Sequence, residues 1–232
     1  MKVAAVVPAY NEAQRIGMVL GALKSAHMVD TVIVVDDGST DGTAAAVPGG
    51  NGVRTVVLPR NRGKGGAMKA GVDTTDADVV LFLDADLVGL QPEQINALVA
   101  PVVAGEADMA IGVFRGGRCV TDLSQRIVPY ISGQRAMRTE TFLEVSGLEV
   151  VRSGVEVALT RYAKANRLRV QHVPLSGVTH VMKEEKLGAL RGAWGRLRMY
   201  CEIAACIVRD GHFRRTHRGG AATRPAGSGR ES

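Results

Sequence analysis

The sequence predicts an α/β protein in which a mostly parallel sheet is flanked by helices. Two observations lead to this class. Short runs rich in Val, Ile and Leu alternate with segments whose apolar residues recur at helical spacing. In addition, 46% of the 232 residues are apolar, only 4% are aromatic and 28 are glycine, which suits close packing of helices on a sheet. The length allows one good-sized core, so a single main domain is expected.

The elements of the first half follow in order from these runs. Residues 3–7 form an apolar strand that Pro8 ends, and residues 12–25 carry apolar side chains at helical spacing. β-branched runs at 29–35 and 53–58 predict two more strands, and an Ala-rich helix follows to about residue 72. The apolar run at 79–83 is typical of a strand buried on both faces. Parallel strands joined by right-handed crossovers are therefore predicted.

The second half is less regular. Residues 109–114 and 170–175 are strand-like, and a helix is predicted from Glu156 to about residue 164. Residues 115–138 are rich in Gly and Arg and predict no regular element. The domain is expected to span residues 1–185, followed by a basic amphipathic helix over 186–211 and a disordered tail over 212–232.

A polar cluster follows each of the first four predicted strands. In an open parallel sheet the carboxyl ends of the strands form the ligand-binding edge, so these clusters are expected to converge on one site. Asp84 and Asp86 carry the clearest signal, because two neighbouring carboxylates favour a divalent cation with oxygen ligands, Mg²⁺ or Mn²⁺. Alternation along an extended strand would point both the same way. The alternative is a solvated strand end.

Two further clusters suit a nucleotide. Asp36 or Asp37 could accept hydrogen bonds from a nucleobase or ribose; the alternative is a helix start, with Ser39 or Thr40 as its cap. Lys64, in a Gly-rich loop at a helix start, could hold a phosphate. That loop lacks the P-loop pattern, and a basic turn is its alternative interpretation.

Four motifs together resemble glycosyltransferase family 2, whose GT-A fold is shared by polyprenyl-phosphate (dolichyl-phosphate) sugar transferases. They are Val-Pro-Ala-Tyr-Asn-Glu at 7–12, Val-Asp-Asp-Gly-Ser-Thr-Asp at 35–41, Asn-Arg-Gly-Lys-Gly at 61–65 and Asp-Ala-Asp-Leu at 84–87. The resemblance implies a single Rossmann-like GT-A domain and a UDP- or GDP-hexose donor. It also implies a nucleotide-sugar site formed by Pro8, Tyr10, Glu12, Asp36, Asp37, Lys64 and Asp84, with Asp84 and Asp86 serving ribose and metal.

The resemblance extends more loosely to the second half. The segment 132–136 is similar to the Ser-Gly-x-Arg element of polyprenyl-phosphate sugar transferases, which implies that Arg135 binds an acceptor phosphate; a surface loop is the alternative. The resemblance implies that Glu156 is a catalytic residue that serves as base or acceptor contact, although the usual Glu-Asp pair of the family is not present and an acid at a helix start is structurally ordinary. Gly-Val-Glu at 154–156 also resembles glucosyl-3-phosphoglycerate synthases, so the stereochemistry stays open. His180 is expected as a third metal ligand rather than a packing histidine.

Charge and cysteine content bear on compartment and partners. The net charge of +6 comes from the C-terminal end: residues 1–182 have 18 charged residues of each sign, so no nucleic-acid partner is expected. Three cysteines without paired spacing and no signal sequence predict a cytoplasmic protein. The basic helix at 186–211 could bind the inner face of a membrane, pack on the sheet or join a homodimer.

These inferences favour a metal-dependent glycosyltransferase that moves a hexose to a phosphate-bearing acceptor such as polyprenyl phosphate. Within enzymes, the alternative is a synthase that glycosylates a small acid such as 3-phosphoglycerate. A non-catalytic nucleotide-binding module is the alternative from another class. A nucleotidyltransferase is disfavoured, because Pro8 and Ala9 stand where its Gly-rich loop would follow the first strand.

Overall fold

The computed structural model describes residues 1–50, 52–115, 132–148 and 154–180. Seven strands form one sheet in the order β3-β2-β1-β4-β7-β6-β8. The strands are β1 Val3–Ala9, β2 Thr31–Asp36, β3 Val53–Val57, β4 Val79–Phe82, β6 Met109–Arg115, β7 Arg135–Arg138 and β8 Val170–Ser176; β5 Leu87–Val88 and β9 Thr179–His180 form a second, two-stranded sheet.

The main sheet is parallel except at one strand. β1 pairs in parallel with β2 and β4, β2 with β3, and β6 with β8. β7 lies antiparallel between β4 and β6. The predicted α/β class with a mostly parallel sheet is therefore confirmed, whereas β7 was not predicted. Its first and last residues are arginines, so the sequence has no apolar run there. The middle residues are nevertheless buried, because β7 lies between two neighbouring strands.

Helices cover both faces of the sheet. They are α1 Ile16–Lys24, α2 Gly63–Val72, α3 Pro92–Val103, α4 Thr139–Leu143 and α5 Val155–Ala165, with a short 3₁₀ helix at Ala44–Ala46. Alternate residues of β1 face opposite cores: Ala5 and Val7 pack with α1 and α3, while Ala4 and Val6 pack with α2 and α5. This alternation follows from the period of two along a strand.

α1 begins four residues later than its apolar spacing predicted. The carbonyl oxygen of Glu12 accepts hydrogen bonds from the backbone N–H groups of Arg15 and Ile16, at 2.9 Å each. This turn keeps Glu12 in the loop at the carboxyl end of β1. The first residues of the predicted helix are therefore available to the functional edge of the sheet.

The second sheet brings the end of the described chain back to the functional edge. β5 pairs antiparallel with β9, so that Leu87 lies opposite His180. Gly89 has φ +80°, and a Cβ there would lie 2.5 Å from the carbonyl oxygen of Gly177; the close approach of the two loops requires glycine.

The predicted helix over 186–211 and tail over 212–232 lie outside the described residues. Within the described part of the chain, no helix is both long enough and apolar enough to cross a bilayer.

Candidate active site

A lysine and two carboxylates from three separate elements meet at the carboxyl edge of the sheet. The Nζ of Lys64, in the first turn of α2, lies 2.5 Å from Oδ1 of Asp84, just after β4. The same Nζ lies 2.5 Å from Oε1 of Glu156, in the first turn of α5. The three side chains are only 25%, 19% and 14% exposed. This group is called the Lys64 cluster below.

The carboxylates decide the charge of the lysine. Burial by itself lowers the pKa of Lys64, but the charges and hydrogen bonds of Asp84 and Glu156 outweigh it and leave the pKa raised. The lysine is therefore a fixed cation over the whole physiological range. The sequence predicted a role for each residue but not their contact, because the pairs are separated by 20 and 92 positions.

The segment before β7, residues 132–134, holds this cluster in place through hydrogen bonds and close packing. The Nε2 of Gln134 donates to Oδ2 of Asp84 at 2.7 Å, and its Oε1 accepts from Ser132 Oγ at 3.0 Å. Ser132 Oγ also lies 2.5 Å from the carbonyl oxygen of Gly112. A Cβ on Gly133 would lie 2.5 Å from both Asp84 Oδ2 and Lys64 Nζ. Sequence analysis missed Gln134, although it stands directly before the Arg135 that was singled out.

Arg135 is fully buried. Its Nη2 donates to the carbonyl oxygen of Ser132 at 2.6 Å, and its Nη1 donates to the carbonyl oxygen of Glu156 at 3.3 Å and to Thr160 Oγ1 at 3.4 Å. Its Nε has no hydrogen-bond partner among the described residues. Burial lowers the pKa of Arg135 to about 10, against the opposing effect of Glu156 and Asp84. Arg135 thus braces β7 against α5. The alternative interpretation of this segment as a surface loop is wrong, and the binding of an acceptor by Arg135 stays a prediction.

Asp36 and Asp37 hold the loops at the carboxyl edge of the sheet in place through hydrogen bonds. Both carboxylates are nearly inaccessible, at 4% and 3% exposure. The oxygens of Asp37 accept from the backbone N–H groups of Arg62 and Gly63 at 2.7 and 2.8 Å, at the start of α2. Asp36 Oδ1 accepts from Ser39 N–H at 2.9 Å. The nucleotide role of these residues remains a prediction, and Asp37 supports the helix that carries Lys64.

The loops after β1 and β2 are joined to each other through Asn11. Asn11 has φ +57°; its N–H donates to Ser39 Oγ, and its Oδ1 accepts from Thr40 N–H, each at 2.9 Å. The expected capping of a helix by Ser39 or Thr40 is therefore wrong, because these residues bind Asn11 and only a 3₁₀ turn follows.

Three other predicted nucleotide residues lie on this side of the sheet. Pro8 lies in β1 opposite Val35, and Tyr10 follows β1 with 47% of its surface exposed. The N–H of Glu12 donates to Thr43 Oγ1 at 2.9 Å. An exposed aromatic ring at the carboxyl edge could stack on a planar ligand.

The predicted metal ligands are only partly brought together. β4 ends at Phe82 and Asp86 lies in a turn, so alternation along the strand does not govern the direction of its side chain. The backbone of His180 lies opposite Leu87, next to Asp86 in the chain; the side chain of His180 lies outside the description. Among the described residues, no three His, Cys, Asp or Glu side chains are grouped to hold a metal by themselves.

Comparisons with known proteins agree with this arrangement. Residues 4–159 match the family model described as glycosyl transferase family 2. Undecaprenyl-phosphate 4-deoxy-4-formamido-L-arabinose transferase of Serratia proteamaculans (strain 568) is 39% identical over 126 residues, 50% of this chain. The match spans only 38% of the length of that relative. Undecaprenyl-phosphate mannosyltransferase of Micrococcus luteus is 31% identical over 217 residues, 81% of this chain and 88% of that protein.

A solved structure is similar over most of the chain. It is glucosyl-3-phosphoglycerate synthase from Mycobacterium tuberculosis in complex with Mn²⁺, UDP and phosphoglyceric acid. The TM-score is 0.68 at 27% sequence identity, and the match covers 89% of this chain and 77% of the other.

Proposed function

The chain belongs to glycosyltransferase family 2, and on that premise we propose that it transfers a hexose from a nucleoside diphosphate sugar to a phosphate-bearing acceptor. The Lys64 cluster carries the proposal. It gathers a cation and two carboxylates from α2, β4 and α5 at the ligand-binding edge of the sheet.

The donor site is proposed for the loops after β1 and β2. Tyr10 is exposed there and can stack on a base, and Pro8 and Glu12 would line the same site. Asp36 and Asp37 accept hydrogen bonds from the backbone of the surrounding loops and would hold these loops in place. The bound UDP of the solved neighbour supports a uridine nucleotide as the first donor to test, with GDP-hexose second.

A divalent ion fits the residues present. Asp84 and Asp86 supply carboxylate oxygens of the kind that Mg²⁺ and Mn²⁺ prefer, and these ions commonly complete their shell with substrate phosphates and water. The ammonium group of Lys64 lies 2.5 Å from Asp84 Oδ1, which supports a cation-binding role for this carboxylate. Asp84, Asp86 and His180 would hold the ion, which would act as a Lewis acid on the diphosphate leaving group.

The role of Glu156 depends on the acceptor. An attacking phosphate oxygen is already an anion, so no base is needed and Glu156 would orient the acceptor. An attacking hydroxyl must lose its proton, and Glu156 would accept it. In both cases the bond between the sugar and the diphosphate breaks, and its electron pair leaves with the diphosphate.

Polyprenyl phosphate is the acceptor favoured by the sequence relatives. The Micrococcus luteus mannosyltransferase matches 81% of this chain and 88% of its own length, so the likeness includes more than a shared nucleotide fold. A lipid acceptor would place the site near a membrane surface, where the predicted basic helix at 186–211 would make the contact. The predicted homodimer can be tested on the same purified protein.

Phosphoglyceric acid is the second candidate acceptor. The solved neighbour binds it, and Gly154, Val155 and Glu156 match the Gly-Val-Glu pattern of such synthases. Gly154 has φ +88° at the start of α5, where glycine is favoured because other residues are strained.

The test is a transfer assay with radiolabelled UDP- and GDP-hexoses, Mn²⁺, and either polyprenyl phosphate in detergent or 3-phosphoglycerate. Label is expected in the lipid phase with one donor, and Asp86→Ala should abolish that transfer without changing the melting temperature. Label only in phosphoglycerate would select the second acceptor. Metal-independent activity of Asp86→Ala would refute the site, and nucleotide binding without any transfer would indicate a binding module.

A further inference from the structure

The ammonium group of Lys64 lies between two carboxylates, Asp84 and Glu156. Without the lysine, these carboxylates would attract a divalent cation. We propose that Lys64 is an exchangeable internal cation: it neutralises Asp84 and Glu156 before the donor arrives, and the diphosphate-bound metal displaces it. This inference rests on the proposed function and adds a rule for ligand entry. Metal and nucleotide should bind together, and the metal alone should bind weakly.

The geometry leaves little room for a second cation beside the lysine. Lys64 Nζ lies 2.5 Å from both carboxylates, and the second oxygen of Asp84 is held by Gln134 at 2.7 Å. The backbone of Gly133 closes the next side, because even one added carbon would lie 2.5 Å from Lys64 Nζ. A metal ion that binds Asp84 from this side must therefore move the lysine.

Charge makes the exchange depend on the nucleotide. With the lysine in place, the cluster carries one net negative charge, whereas Asp84 and Glu156 alone would carry two. The lysine therefore weakens the attraction of the carboxylates for a divalent ion that arrives alone. A diphosphate brings compensating negative charge together with the metal. The displaced ammonium stands on a flexible four-carbon stem, so it can turn from the carboxylates to a phosphate oxygen.

Mechanically, the cluster is suited to such a change. Gln134 holds the carboxylate of Asp84, and the buried Arg135 holds the backbone of Glu156, whereas the ammonium group of Lys64 stands at the end of a flexible side chain. The lysine can therefore leave without disturbing the carboxylates. The carboxylates of Asp84 and Glu156 thus stay in place while the ammonium group of Lys64 moves.

Mn²⁺ binding to the full chain, measured by electron paramagnetic resonance with and without UDP, tests the inference. In the wild type, UDP should tighten Mn²⁺ binding at least tenfold. In Lys64→Met, Mn²⁺ alone should bind roughly tenfold more tightly than in the wild type, and the tightening by UDP should shrink by a similar factor.

Lys69→Met is the matched control, because Lys69 stands on the same helix and pairs with Asp73 at the surface. It should leave both affinities unchanged. If Lys64→Met binds Mn²⁺ alone no more tightly than the wild type, the exchange is refuted. If Lys64→Met is destabilised, recovery of its melting temperature with Mn²⁺ and no UDP supports the exchange, and the absence of that recovery refutes it. A wild type that binds neither Mn²⁺ nor UDP would refute the proposed function instead.

Discussion

At the scale of single residues, the buried guanidinium of Arg135 is the least expected feature. A charged group without exposure is costly unless it is well bonded, and within the part of the chain that the structure describes, the Nε of Arg135 has no hydrogen-bond partner. Its bonds go to backbone carbonyls beside Gln134 and at Glu156. It therefore acts as a positioning residue that joins the support of Asp84 to the helix of Glu156.

Replacing Arg135 tests that role against acceptor binding. Arg135→Met should lower the free energy of unfolding by about 1–3 kcal/mol, because the carbonyl of Ser132 loses its buried donor. It should lower kcat, and the KM values for donor and acceptor should change to about the same extent. Arg138→Met, at the other end of β7, is the control in denaturant titrations and kinetics. A selective rise of the acceptor KM with unchanged stability would show instead that Arg135 binds the acceptor.

Glu156 gives a second residue-scale prediction. Glu156→Gln removes a proton acceptor but keeps the shape of the side chain. With 3-phosphoglycerate, kcat should fall by about 10²–10⁴-fold, the usual contribution of a general base. With polyprenyl phosphate, the loss should stay within about tenfold.

The kinetics of both acceptors should be compared with those of Glu140→Gln, an exposed substitution in α4 that should change neither. An equally large loss with both acceptors would contradict the proton-accepting role.

At the scale of elements, α2 lies unusually close to the sheet. A Cβ at Gly71 would lie 2.5 Å from Val6 Cγ1 and 2.9 Å from Val35 Cγ2, so the helix rests on β1 and β2 through bare backbone. This close approach and the hydrogen bonds that Asp37 accepts at the start of the helix fix the position of α2 on the sheet. They thereby fix the position of Lys64 in the site.

Gly71→Ala should therefore destabilise the protein, by about 1–3 kcal/mol, through overpacking. Gly21→Ala in α1 meets nothing within 4 Å and should stabilise by about 0.5–1 kcal/mol through helix propensity. Chemical denaturation of both variants measures the difference. Stabilisation by Gly71→Ala as well would show that the helix can move outward at little cost.

The pairing of β6 with β8 gives a pH-dependent prediction. Arg169, before β8, binds Asp108, before β6, through both carboxylate oxygens at 2.8–3.2 Å. The hydrogen bond and charge of Arg169 lower the pKa of Asp108 below its ordinary value of 3.8, against a smaller effect of burial. The contribution is thus fully present above that value and is lost as the pH falls through the folded pKa.

Melting temperatures of the wild type and Asp108→Asn measured from pH 7 to pH 2 test this. The wild type should be slightly more stable at neutral pH, and the difference should vanish at the acid end. A difference that persists unchanged to pH 2 would contradict the charge-based origin.

At the scale of the whole molecule, the sequence was most informative where a single property decides the outcome. Apolar runs located six of the seven strands of the main sheet, and four spaced motifs indicated the family that the comparisons confirm. β7 was missed because residues 135–138 become a strand only through the neighbours β4 and β6. The Lys64 cluster could not be predicted either, since its contacts depend on how distant elements are brought together.

The central position of β7 has a further consequence for the order in which the chain can assemble. Both sheet neighbours of β6 lie later in the sequence, so a nascent β6 has no strand to pair with. At about 5–20 residues per second, the ribosome needs roughly 1.5–6 s to proceed from the start of β6 to the end of β7, its first partner along the chain. During that interval the apolar residues of β6 are unpaired in the growing polypeptide, which exposes them to aggregation.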